Sequence, residues 1–315
     1  MRVESANTEY RLYRIPALCM TKQGVLLAAY ECRKDVSDWA QIDIKIIRSE
    51  DDGATWQEVL TLYGQGHTMN NPVWIVDGDT VHFLYCRNYR QLLYRRSEDG
   101  GKSFSAERDL TDVCCRSGFA YTVLAVGPGH GIAHQGCLIA PMWFANNPND
   151  SKAHHPSFVA TLYSQDGGET WNLGEKIGVD LFVNGSECAM AVNAQDCVVM
   201  SIRNENEVRL RGIAVSETGY SHWQNVHFAS TLPDPICEGS MTSERGVLYH
   251  VNCASKTGRE NLTLKISADG FETAQEVFID DVGEYSDIVV QGGIAYILYE
   301  RDSWNDGLYF KKIQL

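Results

Sequence analysis

The chain has 315 residues, 44% hydrophobic and 22% charged, with a formal net charge of −14. The acidic balance argues against nucleic acid as a partner, and no apolar run approaches the roughly 20 residues of a membrane-spanning helix. An anionic substrate would have to be attracted locally, against the field of the whole molecule.

From the N-terminus, MRVESANTEYR lacks the apolar stretch of a secretory signal, so the sequence as written reads as cytoplasmic, or as secreted if a leader has been removed. YRIPAL (Tyr13 to Leu18) follows and leads into the strand-like VLLAAYE. Arg14 sits between an aromatic residue and an apolar run, where strand packing asks for no guanidinium. Next come the β-rich IDIKIIR and the turn SEDDGATW (Ser49 to Trp56), then TVHFLYC, RQLLYRR and a second such turn, SEDGGKSF (Ser97 to Phe104). GCLIAPMWF and FVATLYS precede SQDGGETW (Ser164 to Trp171); CVVMSIR and RLRGIAVS precede SETGYSHW (Ser216 to Trp223). GVLYHVN and NLTLKIS surround SADGFET (Ser267 to Thr273), and GGIAYILYE closes the series.

The turns recur at intervals of roughly fifty to seventy residues, the period of one small antiparallel sheet. Each has the logic of a hairpin: the aspartate accepts backbone N–H bonds, the glycine takes positive φ, and the terminal aromatic folds under. Short, evenly spaced strands with one aromatic per unit predict an all-β fold, a six-bladed β-propeller of four-stranded antiparallel sheets with aspartate-box turns. One domain is expected over residues 1–315.

Ten cysteines show no metal-binding spacing. Cys19, Cys32, Cys86, Cys137, Cys188, Cys197, Cys237 and Cys253 read as buried thiols; the adjacent Cys114 and Cys115 suggest no function. His154-His155, beside a proline, reads as a loop. Arg14, Arg203 (in VVMSIRNEN) and Arg259 (in KTGRENLTLKIS) fall in separate blades, each beside a strand directed at the propeller axis, where residues distant in sequence converge.

YRIPAL, the repeated S-x-D-x-G-x-[ST]-[WF] box, AVGPGHGI, DPICEGSM, GRENLTLKIS and YSDIVV…GGIAYILYER together resemble the sialidases (neuraminidases), in their bacterial and animal exo-acting branch. The resemblance runs from Tyr13 to about Arg301. It implies an exo-α-sialidase, free of metal and cofactor, acting on sialylated oligosaccharides or glycoconjugates, with oligomeric state open. By that likeness Arg14, Arg203 and Arg259 form an arginine triad for the substrate carboxylate, suited to bidentate, charge-assisted bonds, and Glu300 orients Arg14. Tyr285 (in GEYSDI) matches the family nucleophile, a phenol where a carboxylate would be repelled by the substrate's own, and Glu187 (in NGSECAMAV) matches its base.

The resemblance further implies that Asp38 (in KDVSDWAQIDI) is the acid/base, with Asp35 and Asp43 as neighbours, and that Arg33 contacts the O4 hydroxyl. Asn71 (in MNNPVW) stands where some relatives carry an aspartate for the O4 contact, and Asn70 precedes it. Trp39, Trp74, Trp143 and Phe144 are open between pocket wall and core. Hydrolysis of a related ulosonic acid such as Kdn, and trans-sialidase activity, are the nearest alternatives; a non-catalytic sialic-acid-binding propeller would dispense with Tyr285, Glu187 or Asp38.

Overall fold

A computed structural model of the chain describes residues 1–302 and 306–315. Six small sheets form a six-bladed propeller, and the innermost strands are Leu12–Met20, Met69–Asp77, Val123–Val126, Cys188–Val192, Ser240–Glu244 and Gly283–Gln291. Each is followed outward by antiparallel partners, because short hairpins permit only that pairing. In the sixth blade the outermost strand is Arg2–Ser5, paired antiparallel with Gly307–Gln314, so the two ends of the chain close the ring.

The expectation of four strands per blade holds for four sheets and is corrected for two. In the second, Gly129–His130 lies parallel to Val73 and Trp74 on the axial side. In the third, Ile132–His134 joins Cys137–Ile139. Both additions come from the single segment 129–134, which crosses from one blade to the next.

Apolar burial is divided among the blade interfaces. Leu27, Ile44 and Trp74 pack between blades one and two; Leu84, Leu124 and Phe144 between two and three; Val159, Met190 and Met200 between three and four. Ala191, Leu232 and Met241 join four to five, Leu264 and Ile288 five to six, and Leu18, Tyr30 and Leu298 six to one. Trp74 and Phe144 are therefore core residues. Cys197 is half-buried, against the reading of a buried thiol, while the other seven of its group are buried. Cys114 and Cys115 lie on the short helix Thr111–Arg116, whose period turns the first into the core and the second to solvent. Among the described residues no helix is long and apolar enough to cross a membrane.

The turn boxes share one hydrogen-bond pattern. In the first, Gly53 N–H donates to Ser49 Oγ (2.9 Å), and the Thr55 N–H and hydroxyl donate to Asp51 at 2.8 and 2.6 Å. Gly53 has φ 81°, and a Cβ there would collide with the Phe310 ring of the neighbouring blade. Ser97/Asp99, Ser164/Asp166 and Ser267/Asp269 repeat the arrangement. In the fourth copy Thr218 replaces the aspartate, and its hydroxyl takes the backbone N–H of Ser221.

Donated hydrogen bonds, first from the box Thr or Ser hydroxyl, lower the carboxyls of Asp51, Asp99, Asp166 and Asp269 to about 2. A carboxyl lowered in the folded state stabilises it above the ordinary value of 3.8, and that contribution is lost as pH falls toward 2. Asp166→Ala should therefore lower Tm at neutral pH, with the gap to wild type narrowing as pH drops below about 4. A gap independent of pH in a calorimetric series would contradict this account of the turns.

Candidate active site

Three innermost strands carry a bulge at the same axial end. In the first, Ile15 and Pro16 stand opposite one residue between the pairs Arg14/Glu31 and Ala17/Ala29. In the second, Asn71 and Pro72 do so between Asn70/Cys86 and Val73/Leu84; in the sixth, Glu284 and Tyr285 between Gly283/Arg301 and Ser286/Tyr299. An extra residue bends the strand and re-aims its side chains. Ile15, Asn71 and Tyr89 take φ of 55°, 56° and 50°, a left-handed conformation that costs non-glycine residues about 1–3 kcal/mol each. All three line one cavity.

That cavity, about 240 Å³, is lined by Arg14, Arg33, Asp38, Asn71, Glu187, Arg203, Arg259 and Tyr285, with Ile15, Val36, Tyr89, Trp143 and His154. Eight of the nine residues singled out from sequence thus meet here. The ninth, Glu300, is fully buried behind the wall.

Tyr285 occupies the floor and is 5% exposed. Its hydroxyl is 2.9 and 2.8 Å from the two Glu187 carboxylate oxygens, and Arg203 Nη1 approaches the same hydroxyl at 2.8 Å while also pairing with Glu187. Arg14 and Arg259 lie over the Tyr285 ring, 5.0 and 5.3 Å from its centroid. Burial and then the Glu187 charge push the phenol well above its ordinary range, against the opposing pull of Arg203 and Arg259. Glu187 and Arg203 are brought together by the hairpin that opens the fourth blade, where Arg203 N–H donates to the Glu187 carbonyl (3.1 Å).

Each arginine has a carboxylate behind it. Glu300 accepts from Arg14 Nε and Nη2 at 3.2 and 3.0 Å and from the Ile15 N–H at 2.7 Å. Arg259 Nη1 donates to Glu284 Oε2 at 2.9 Å. Arg33, 1% exposed, donates through Nε to Glu31 (2.7 Å) and through Nη1 to Asp38 (2.7 Å). Burial pushes the Asp38 carboxyl up, but the Arg33 charge and hydrogen bond outweigh it and hold the group below the usual carboxylate range.

Of the neighbouring aspartates, Asp35 caps the Ser37 N–H at the surface, and Asp43 is buried on the Tyr10 hydroxyl and the Gly64 N–H. Asn70 is buried and donates to Asn71 Oδ1 at 3.0 Å. Trp143 lines the cavity; Trp39 packs on Tyr89 and His154 just outside it. Sequence reasoning missed Glu31, Tyr89 and Glu284. It placed His154 only in a loop, where the structure also finds it, with Nε2 buried and unpartnered among aromatic rings. Among the described residues no three His, Cys, Asp or Glu side chains converge as a metal site.

The phenol geometry has a direct spectroscopic consequence. An ultraviolet difference titration of wild type minus Tyr285→Phe should show no phenolate forming below pH 10, the ordinary tyrosine value. A difference signal titrating below that value would mean that the arginines, and not burial with Glu187, dominate the hydroxyl.

The family of BNR repeat-like domains matches residues 59–297. A sialidase of Bacteroides fragilis is 25% identical over 82% of this chain and 53% of its own length. Sialidase-2 of Cricetulus griseus is 30% identical over 73% of this chain and 68% of its own. Among solved structures, a Hadza microbial sialidase superposes with a TM-score of 0.84 at 23% identity, over 98% of this chain and 66% of that one, a likeness of fold. The chain spans about half the length of the bacterial sialidases it matches.

Proposed function

The chain belongs to the sialidase family, a family of BNR-repeat propellers, and from that premise we propose that its axial pocket is the active site of an exo-α-sialidase on one catalytic propeller domain, residues 1–315, releasing terminal sialic acid from oligosaccharides or glycoconjugates with net retention. The observation that carries this reading is the Tyr285 hydroxyl, set between the Glu187 carboxylate and Arg203 on the floor of a pocket walled by arginines.

In this reading the substrate carboxylate is held by Arg14, Arg203 and Arg259. Their planar guanidiniums suit a carboxylate and remain charged at any working pH. A phenol held well above its ordinary range is unreactive alone, so Glu187 takes its proton as oxygen attacks the anomeric carbon. The neutral nucleophile avoids the repulsion that an aspartate would meet from the substrate's carboxylate. Asp38 protonates the departing oxygen, then takes a proton from the water that attacks the other face of the glycosyl-tyrosine, and as the bond to the Tyr285 oxygen breaks Glu187 returns its proton to that oxygen. Two displacements give retention. Arg33 and Asn71 meet the hydroxyl groups farther along the ring.

Asp38 must carry a proton to act as acid, yet Arg33 favours its ionised form. Because the protonated fraction falls as pH rises through its pKa, kcat/KM should decline on the alkaline side of an acidic optimum.

Three measurements test the reading. NMR of sialyllactose cleavage should show the α-anomer of sialic acid as first product; the β-anomer first would exclude two displacements. Arg259→Ala should raise KM about 10- to 150-fold, the equivalent of about 1.5–3 kcal/mol for one charged hydrogen-bonding partner, and an unchanged KM would remove Arg259 from carboxylate binding. Asp38→Ala should damage cleavage of natural glycosides far more than of aryl glycosides, whose phenols leave with little help. Equal losses would show that Asp38 is not the acid.

A further inference from the structure

The sixth and first blades contain the same device twice. Glu300, near the end of the second strand of blade six, grips Arg14 through Nε and Nη2 with one oxygen, and with the other accepts the N–H of Ile15 in the bulge of blade one. Glu31, near the end of the second strand of blade one, grips Arg33 through Nε and Nη2 with one oxygen (2.7 and 2.5 Å), and with the other accepts the N–H of Asn71 in the bulge of blade two (2.9 Å). Ile15 and Asn71 both have positive φ and both precede proline. Each glutamate follows a tyrosine, in AAYECR and ILYER. Both are 0% exposed and neither lines the cavity.

The two copies differ in what the arginine does next. Arg33 uses its remaining Nη1 to hold Asp38, whose side chain is 41% exposed on its loop. One buried cation thus stands between two carboxylates, Glu31 fixed behind it and Asp38 in front. In a low-dielectric wall the charge of Glu31 offsets that of Arg33 and repels Asp38. Arg14 and His154, which line the same cavity, also favour ionised Asp38, so without Glu31 the undiminished charge of Arg33 would add to theirs.

We propose that Glu31 is a positioning residue that sets how tightly Arg33 holds Asp38, and thereby how readily Asp38 protonates the leaving oxygen. It also pins the bulge that presents Asn71. The proposal rests on the reading of Asp38 as the acid. It assigns Glu31 no contact with substrate: its effect passes through Arg33.

The test compares kcat/KM against pH for wild type, Glu31→Asp and Glu31→Gln on sialyllactose and on an aryl sialoside with a good leaving group. Removing the negative charge strengthens the hold on ionised Asp38, so the alkaline limb should move to lower pH, more for Gln than for the shorter but still charged Asp. For Glu31→Gln, the loss on sialyllactose should exceed that on the aryl sialoside by at least about tenfold, the factor given by one unit of pKa. An unmoved limb with equal losses on both substrates would reduce Glu31 to a packing residue and overturn the proposal. If Glu31→Gln does not fold, the limb of Glu31→Asp decides by itself, displaced downward or not. Asp38→Ala, run alongside, separates the two readings: equal losses there defeat the assignment of Asp38, whatever Glu31 does.

Discussion

Four guanidinium groups share the wall of a cavity of about 240 Å³, and the charges behind them make this possible. Like charges at such separations in a low-dielectric wall repel strongly, and each buried cation carries a desolvation cost that a partner must offset. The chain supplies one carboxylate per arginine: Glu300 for Arg14, Glu31 for Arg33, Glu187 for Arg203 and Glu284 for Arg259. The partners approach from behind or beside, and all four arginines still line the cavity. Every group in the proposed chemistry is tied to this charge balance. Tyr285 lies under two of the arginines and against the partner of a third, and Asp38 is the second anion on the fourth. The net charge of −14 gives no clue to this, because the local field of a cavity depends on what lines it.

The propeller delivers these groups through local irregularity within a regular frame. Its interfaces are packed with ordinary aliphatic and aromatic side chains, and its rim turns repeat one hydrogen-bond pattern. Near the axis, three innermost strands take an extra residue, and Ile15, Asn71 and Tyr89, which line the cavity, take positive φ. Such conformations persist only where surrounding contacts over-determine them. Here the bulge N–H groups of Ile15 and Asn71 are held by the same glutamates that hold the arginines, so the backbone distortion and the charge balance are one arrangement.

The fold was legible because its signals repeat: a serine, an aspartate and a glycine at fixed spacing, followed by an aromatic, mark a hairpin wherever they occur. The segment 129–134 was not, because strands of two and three residues are too short to show an alternating pattern. Cys197 was misread since an apolar neighbourhood in sequence does not fix which side of a strand end meets water. At the site, Arg14, Arg203, Arg259, Tyr285 and Glu187 could be named from their motifs, and the structure gathers them. The distance to the first turn box favours Asp38 over its neighbours Asp35 and Asp43, and of the three Asp38 alone lines the cavity, Asp35 capping the Ser37 N–H and Asp43 being taken up by Tyr10 and Gly64. Glu31 sat unnoticed inside an apolar strand, although its tyrosine-glutamate pair echoes that of Glu300. Tyr89 carried no signal, because its placement depends on a left-handed turn that a tyrosine does not advertise.

The central claim is that a neutral phenol, stripped of its proton by Glu187, is the nucleophile. A 3-fluorinated sialosyl fluoride tests it most directly, because fluorine at C3 slows both displacements while the fluoride leaving group lets the first proceed. Intact-mass analysis should find one added sugar, peptide mapping should place it on Tyr285, and Tyr285→Phe should remain unlabelled. A label on Glu187, or equal labelling of Tyr285→Phe, would contradict the account.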